Sequence, residues 1–265
     1  MSNHVGELPN VELRSPLDHI PTEIVAVHDY ERLAKNFIPH AVYEYIAGGS
    51  GDELTLKSNR TSFDSLKLYS RVLQDVSQGA TELSLLGKDF RHPILLAPVA
   101  HQKLVHSEGE LASAAAAEAM NAGFVASTLS SVSLEDIAQR AGSNKWFQLY
   151  FQESREFTLS LVKRAEESGY TALVITVDTP INGLRNRAQR AGFSLPDGVQ
   201  EVNLLNSPPV TQRTLAANQS VVFQGIMADA IRWDDIAWLK QQTTLPIVVK
   251  GILHPNDAEQ VVAIG

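Results

Sequence analysis

Two apolar stretches decide the fold of this chain: Trp146-Phe147-Gln148-Leu149-Tyr150-Phe151 and Ala172-Leu173-Val174-Ile175-Thr176-Val177. Each is short, almost continuously apolar and rich in aromatic or β-branched residues, which is typical of a strand buried on both faces. Between them, apolar residues recur at intervals of three and four from Phe157 to Ala165, and Gly169 follows, so the spacing predicts an amphipathic helix. The stretch therefore predicts a parallel β-α-β unit.

The same alternation continues on both sides of this unit. Three further apolar runs predict strands, and four further segments predict helices, one of which begins at the capping box Ser133–Asp136 and another with Pro255 in its first turn. The strands are Ile94–Ala97, Phe124–Ala126 and Pro246–Lys250, and the helices cover about 108–121, 133 onward, Trp233–Gln241 and 255 onward; a long irregular stretch, 178–232, separates the fourth strand from the helix at Trp233.

Units of about 25–35 residues suit either a doubly wound sheet or a (β/α)₈ barrel. A glycine-rich dinucleotide fingerprint after the first strand would favour the doubly wound sheet, but Pro98-Val99-Ala100-His101 stands there instead. The sequence thus predicts an α/β fold of the TIM (β/α)₈ type, of which this chain holds about the first five βα units and an N-terminal helical segment.

The residues before the first strand predict an arm and then helices. Residues 1–28 are interrupted by prolines and read as an N-terminal arm, so the predicted barrel domain is 29–265. Helical spacing runs from Val27 to Ile46 with a break at Pro39, and Gly48, Gly49 and Gly51 end it. This glycine triplet predicts a helix stop and a tight turn, since neither a preceding strand nor a following Gly-Lys-Ser/Thr supports a phosphate loop.

Composition excludes several classes of protein. The chain has no cysteine, so it has no disulfide framework, thiolate metal site or cysteine nucleophile. Its net charge of −8 argues against nucleic acid or an anionic membrane as the main partner. The opening residues are polar, unlike a signal peptide, and no run of about 18 apolar residues exists. We therefore expect a cytoplasmic protein.

Polar residues stand at the carboxyl ends of four consecutive predicted strands, where (β/α)₈ enzymes place their chemistry. They are Ser127 and Thr128, Gln148 and Tyr150, Thr176 and Asp178, and Lys250. Singly, each has an ordinary structural explanation. Together they predict a polar ligand across these strand ends, because buried polar groups need hydrogen-bond partners.

From about Asp29 to its last residue, the sequence resembles the FMN-dependent L-2-hydroxy-acid oxidase/dehydrogenase family, which includes glycolate oxidase, lactate oxidase, lactate monooxygenase and mandelate dehydrogenase. The order and spacing of many short segments carry this resemblance. They are Val42–Tyr45 with Gly48, Asp52-Glu53 and Asn59-Arg60; Ala97–Ala100 with Gln102-Lys103; His106–Glu110; Phe147–Tyr150; Thr176–Pro180; and Leu245–Gly251.

The resemblance implies FMN as cofactor and assigns roles to several residues. Lys250 would lie beside the flavin N1/O2 edge, where a cation stabilises the reduced form. Tyr45 and Arg185 would bind the substrate carboxylate, which an arginine can grip with two hydrogen bonds. Tyr150 would face the substrate hydroxyl, and Asp178 would support the catalytic base. The remaining flavin contacts would come from Pro98, Val99, Ala100, Ser127, Gln148 and Thr176.

The family's base is a histidine in a Ser-Asn-His-Gly-Gly/Ala-Arg segment after the sixth strand, and this chain contains no such segment. His101, His106 and His254 read as structural or surface residues. We expect a C-terminally truncated piece of a longer protein whose first and fifth strands are open edges, with a second polypeptide supplying the other units as the alternative.

For the intact protein, the resemblance implies oxidation of a small lactate- or glycolate-like L-2-hydroxy acid to the 2-keto acid. Its partners would be that substrate and molecular oxygen or another electron acceptor; we expect no nucleic acid, membrane or metal. A homotetramer is the expected assembly. The alternatives are a catalytically inactive fragment or interaction partner, which would be soluble and flavin-free, and an unrelated parallel α/β domain.

Overall fold

The structure is a computed structural model that describes residues 13–209 and 213–265. Its contacts group the chain into two compact units. The first holds the described residues up to Gln74 together with Gly183–Pro196, and the second holds Asp75–Asn182 with the described residues from Asp197 to Gly265. The division into an arm and one family domain stays a prediction. Residues 1–12 of that arm lie outside the described residues, and residues 13–28 form neither helix nor strand.

The first unit is helical. Its helices are α1 (Asp29–Ala34), α2 (His40–Ala47) and α3 (Leu54–Ser65), and α7 (Asn186–Arg190) joins them from the later segment. Pro39 separates α1 from α2, as the sequence predicted, because proline disrupts a helix interior but is tolerated at its start. The glycines end α2: Gly48 caps it in an extended conformation and Gly51 takes a φ of +55°. Helix α3 and α7 were not predicted.

The second unit holds a parallel sheet with the predicted rhythm. Its five strands pair in chain order, each parallel to the next. A short antiparallel hairpin, β1 (Leu83–Leu85) with β2 (Lys88–Phe90), precedes them and was not predicted. The strands are β3 (Leu95–Leu96), β4 (Gly123–Ser127), β5 (Lys145–Leu149), β6 (Ala172–Thr176) and β7 (Ile247–Lys250); the helices are α4 (Glu110–Ala119), α5 (Leu134–Arg140), α6 (Arg155–Glu167), α8 (Trp233–Lys240) and α9 (Pro255–Ile264).

These five βα units confirm the predicted α/β class and the parallel sheet. Ser133 caps α5 by accepting from the Asp136 N–H, and Pro255 stands at the first position of α9. The strand predicted to end at Phe151, β5, ends at Leu149. The stretch 178–232 is largely irregular but contains α7 and short helical turns at Val202–Leu204, Val221–Gly225 and Ile226–Asp229. Among the described residues, β3 and β7 each pair with one strand only, so both are edges as expected.

Each strand divides its side chains between two faces, because alternate residues point to opposite sides of a sheet. On the face covered by α4, α5 and α6, fully buried Phe147, Leu149, Leu173 and Ile175 form the main core. Each contributes about 1.5–3 kcal/mol on burial. On the other face, residues one position away form a smaller cluster that includes Phe90 of the hairpin; its strand members are Val125, Trp146, Ala172 and Val174.

Candidate active site at the carboxyl ends of the strands

The predicted flavin-contacting side chains lie in one row on the face of the sheet away from α4–α6. Ser127 follows Val125 by two residues, Gln148 follows Trp146, and Thr176 follows Val174. The parallel register sets Ser127 against Gln148 and Thr176 against Lys250. The alternation of each strand and the register between strands thus bring together four residues spread over 124 positions of the chain (250 − 127 + 1).

Gln148 is the centre of this row and is only 1% exposed. Its Oε1 accepts hydrogen bonds from Ser127 Oγ at 3.2 Å and from the Thr128 N–H at 3.3 Å. Its Nε2 donates to Thr176 Oγ1 at 2.9 Å. The side chains of three neighbouring strands are therefore joined in one chain of hydrogen bonds, which satisfies much of their polar capacity without a ligand. These buried polar side chains thus find partners within the protein, so their burial alone does not require a ligand.

Lys250 and Asp178 form an ion pair at the open end of the row. Lys250 Nζ lies 3.4 Å from Asp178 Oδ2, and both side chains are about two-fifths exposed (43% and 38%). Gly251, directly after β7, has a φ of +108°, and a Cβ there would lie 2.6 Å from the Asp178 Cβ. The glycine thus lets the backbone after β7 approach Asp178 closely, and this approach places the carboxylate beside the lysine.

Backbone hydrogen bonds hold Tyr150, which follows β5. Tyr150 donates its N–H to Thr128 Oγ1 at 3.1 Å, and its carbonyl accepts from Gln152 Nε2 at 2.9 Å. Pro98, Val99 and Ala100 follow β3 in a loop without helix or strand, where Val99 is 54% exposed. Their predicted role is a backbone contact, and an accessible loop next to the strand ends leaves that backbone open to a ligand.

The predicted carboxylate-binding residues Tyr45 and Arg185 meet within the first unit. The Arg185 guanidinium lies 4.7 Å from the centre of the Tyr45 ring, and its Nη1 donates to the Tyr45 carbonyl at 3.2 Å. Phe193 sets the orientation of the Tyr45 ring. The two rings stack with their centres 4.1 Å apart and their planes nearly parallel. Arg185 itself is exposed. Its charge is thus held over an aromatic ring with donors left for an anion.

Arg187, which was not selected from the sequence, holds α2 to the turn before α3. It donates from Nε to Glu44 Oε2 at 2.5 Å and from Nη1 to the Ala47 carbonyl at 3.2 Å, and Nη1 also lies 3.4 Å from Glu53 Oε1. The hydrogen bond from Arg187 is the main cause that lowers the pKa of Glu44 below its ordinary value of 4.5. The same bond raises the pKa of Arg187.

The lowered pKa of Glu44 predicts acid sensitivity of this ion pair. The pair stabilises the folded chain fully above about pH 4.5, the ordinary value, and this contribution is lost as the pH falls further through the lowered folded pKa. We expect Glu44→Gln to be less stable than the wild type at pH 7 and the difference to shrink steadily below pH 4.5. Urea unfolding midpoints between pH 3 and 7 measure this. A difference that stays constant with pH contradicts it.

Thr128 was expected only as a polar residue at a strand end, and Asn203 and Glu110 were not selected as site residues from the sequence. Thr128 is fully buried and bonds to both Gln148 and Tyr150, and Asn203 donates from Nδ2 to the Thr128 carbonyl at 3.4 Å. Glu110 is buried and accepts from the Ser131 N–H at 2.9 Å. Glu110 lies in a segment quoted for the resemblance, but no pattern in one sequence distinguishes a buried carboxylate from an exposed one.

The three histidines considered as substitutes for the base make other contacts. His101 is buried and lies 3.3 Å from Glu201 Oε1. His106 Nδ1 accepts from the Glu108 N–H, and His254 caps α9 by accepting from the Asn256 N–H. Each of these hydrogen bonds has an ordinary structural role. Within residues 13–209 and 213–265, no group of three or more histidine or acidic side chains could hold a metal ion.

The row fits the polar edge of a flavin by the chemistry of its donors. Gln148 Nε2 has a second hydrogen beyond the one given to Thr176, the Thr176 hydroxyl can still donate, and Lys250 brings a partly exposed cation. The pyrimidine edge of the flavin ring presents carbonyl oxygens that accept such bonds and gains negative charge on reduction.

No helix in the described ranges has the length and hydropathy needed to cross a membrane.

Comparison with known proteins supports the same reading. The chain is 46% identical over 251 residues to an L-lactate oxidase of Alicycliphilus denitrificans, covering 95% of this chain and 69% of that protein. It is 37% identical to glycolate oxidase 3 of Arabidopsis thaliana, covering 92% and 66%. A solved structure of mandelate oxidase with (S)-2-phenylpropionate superimposes with a TM-score of 0.79 at 38% identity, covering 91% of this chain and 65% of that one.

The chain thus spans about two thirds of the length of these relatives. The family model described as FMN-dependent dehydrogenase matches residues 34–265, which include all the residues of the candidate site. The row of donors at the strand ends, the parallel sheet and these matches agree, and the chain belongs to the FMN-dependent dehydrogenase family.

Proposed function

We propose that this protein takes part in the FMN-dependent oxidation of a small L-2-hydroxy acid, similar to lactate or glycolate, to the 2-keto acid. The observation that carries the proposal is the row Ser127–Gln148–Thr176–Lys250, whose register and hydrogen bonds set a donor-rich edge beside Asp178. The names of the relatives, L-lactate oxidase and glycolate oxidase, support the substrate class.

In this proposal, the chain's residues bind and orient. Gln148, Thr176 and Lys250 would hold the flavin ring by its polar edge, with Ser127 fixing the Gln148 amide and the backbone of Pro98, Val99 and Ala100 alongside. The Lys250 ammonium would stabilise negative charge there, because a fixed cation needs no reorganisation when the charge appears. Bound FMN would accept the two electrons of the substrate Cα–H bond.

Three residues are proposed to contact the substrate, and a fourth to support the base. Arg185, with Tyr45, would bind the carboxylate, since a guanidinium held over an aromatic ring keeps its charge and several donors available. Tyr150 would face the substrate hydroxyl, while Asp178 would orient and support the base that removes the hydroxyl proton. The ion pair with Lys250, at 3.4 Å, orients this carboxylate at the end of the row.

The proposal is tested with the purified 265-residue protein. FMN is titrated while flavin fluorescence and absorbance are followed, and lactate and glycolate oxidation is measured with oxygen and with an artificial acceptor. Saturable 1:1 binding that Lys250→Met weakens supports the flavin edge. Wild-type binding that is unaffected by both Lys250→Met and Thr176→Val contradicts it.

Replacing Arg185 by lysine is expected to weaken carboxylate binding by about 10-fold or more, because lysine keeps the charge but loses the planar pair of donors. The affinity for pyruvate, a non-reacting 2-keto acid, measures this by calorimetry. Arg190→Lys is the matched control, because Arg190 is exposed at the end of α7, the helix that Arg185 precedes, and it should bind pyruvate like the wild type. Equal affinities for all three proteins contradict the assignment.

A second candidate is that this chain alone does not turn over hydroxy acids. The contacts of the described histidines favour it, because His101, His106 and His254 bond to Glu201, Glu108 and Asn256 rather than to Tyr150 or Asp178. The two sheet edges at β3 and β7 also leave the sheet open. FMN binding without turnover favours this candidate, and robust lactate oxidation by the chain overturns it.

We also propose that the whole protein is cytoplasmic and assembles as a homotetramer, with oxygen or another electron acceptor reoxidising the flavin. The family resemblance supports both the assembly and the acceptor, and the acidic composition of the chain suits the compartment. Light scattering after size exclusion measures the assembly. A monomer at micromolar concentration contradicts it.

A further inference from the structure

Glu110, the first residue of α4, is a buried carboxylate that the proposed reaction does not use. It is 1% exposed. Its Oε1 accepts from the Gln102 N–H at 3.0 Å and from the Ser131 N–H at 2.9 Å, while its Oε2 accepts from Ser131 Oγ at 2.8 Å. A carboxylate removed from water needs such donors, and here they come from two different loops.

The first of these loops follows β3 and contains Pro98–Ala100. Gln102, whose N–H bonds to Glu110, reaches back with its Nε2 to the Val99 carbonyl at 3.5 Å. Ser113, one turn along α4, donates to Gln102 Oε1 at 2.6 Å and so holds the amide in this orientation. Glu110 is thus linked through one residue to the backbone proposed to contact the flavin.

The second loop follows β4 and begins at Ser127. Ser127 and Ser130 form a tight turn, in which Ser130 Oγ donates to the Ser127 carbonyl at 2.7 Å. Ser131, next along the chain, gives both its N–H and its hydroxyl to Glu110. The carboxylate therefore also holds the turn that carries the first member of the donor row.

The two loops converge on Gly109, the residue before Glu110. Ser131 Oγ accepts from the Lys103 N–H at 3.1 Å, and the His101 N–H bonds to the Leu129 carbonyl at 3.1 Å. A Cβ on Gly109 would lie 2.8 Å from Lys103 Cγ and 3.4 Å from Ser131 Oγ. Only a glycine leaves room for both loops at this point.

We infer that Glu110 is a positioning residue, which fixes the loops after β3 and β4 in the spacing that the flavin edge requires. This inference rests on the proposed function for the identity of the ligand. The hydrogen bonds by which Glu110 joins the two loops do not depend on it. What matters is the reach of the side chain, because both of its oxygens are occupied by neutral donors of fixed position.

Two substitutions separate reach from charge. Glu110→Gln keeps the length: its carbonyl oxygen can accept both N–H groups, and its amide can donate to Ser131 Oγ, which has a second lone pair. Glu110→Asp keeps the charge but is one methylene shorter, so it cannot reach both loops. Glu156→Ala is the matched control, because Glu156 is an acidic residue in the first turn of α6 that accepts a local hydrogen bond from Ser154 Oγ.

Hydrogen–deuterium exchange of the flavin-free chain and an FMN titration provide the readouts. For Glu110→Asp we expect exchange at Gln102 and Ser131 to rise about tenfold or more, and FMN affinity to fall by a similar factor. Glu110→Gln should stay within about twofold of the wild type in both, and Glu156→Ala should leave both unchanged. Ser131→Ala removes the two bonds of the Ser131 hydroxyl, to Glu110 Oε2 and from the Lys103 N–H, but keeps the Ser131 N–H bond to Glu110. It should raise exchange at Lys103 and serves if Glu110→Asp does not fold.

Unchanged exchange in Glu110→Asp, or a loss in Glu110→Gln as large as in Glu110→Asp, overturns the inference. If the wild-type chain binds no FMN while the exchange pattern is as expected, Glu110 does join the two loops and the proposed function fails for this chain. If FMN binds but its affinity is the same in all variants, the flavin proposal stands and the positioning role fails.

Discussion

Replacing Gln148 with leucine is expected to lower the free energy of unfolding by about 2–4 kcal/mol and to abolish FMN binding. Leucine is similar in size, so the loss does not come from a cavity. It comes from the Ser127 hydroxyl, which loses its acceptor, and from Thr176 Oγ1, which loses its donor, whereas the Thr128 N–H keeps its bond to the Gln148 carbonyl at 3.0 Å. Each buried polar group left without a partner costs about 1–3 kcal/mol.

The measurement is urea unfolding followed by circular dichroism, together with an FMN titration. Gln242→Leu is the matched control because Gln242 is exposed in the same unit, and its unfolding free energy should change by less than about 0.5 kcal/mol. A Gln148→Leu variant as stable as this control would mean that the hydrogen-bonded row does not hold the three strand ends together.

Gly251→Ala is expected to be the most damaging single methyl addition at the site, lowering the free energy of unfolding by about 3–5 kcal/mol. Two costs add. The φ of +108° is a conformation that residues with a side chain rarely adopt, and the new Cβ would lie 2.6 Å from the Asp178 Cβ and 3.0 Å from its backbone nitrogen. Because backbone is involved, the clash cannot be relieved by rotating a side chain.

The relief of this clash must move Asp178 away from Lys250, so we also expect weaker FMN binding. Gly198→Ala is the matched control: Gly198 also has a positive φ, +88°, but its Cβ would meet nothing within 4 Å. It should cost only about 1–2 kcal/mol, from backbone strain alone. If both variants lose the same stability, close approach to Asp178 is not what requires glycine at 251.

Much of the second unit could be predicted from the sequence. Apolar runs such as Phe124–Ala126 and Ala172–Val177 became β4 and β6 within two residues, because strands buried on both faces need continuous apolar side chains. The cap at Ser133 is a local interaction between residues three apart, and Pro255 takes the first position of α9; both appeared where predicted. The hairpin Leu83–Phe90 escaped prediction because its strands have only three residues each.

The sequence by itself determined which residues could form the flavin edge, since strand alternation and chain order already place Ser127, Gln148, Thr176 and Lys250 on one face at the ends of successive strands. Only the tertiary structure decided how they are held. The bond from Gln148 to Thr176 spans 28 positions, that from Arg187 to Glu44 spans 143, and Glu110 joins two loops across 21. Such contacts depend on register and loop paths that no local pattern encodes, and so the partners of a buried polar group emerge only when the chain is folded.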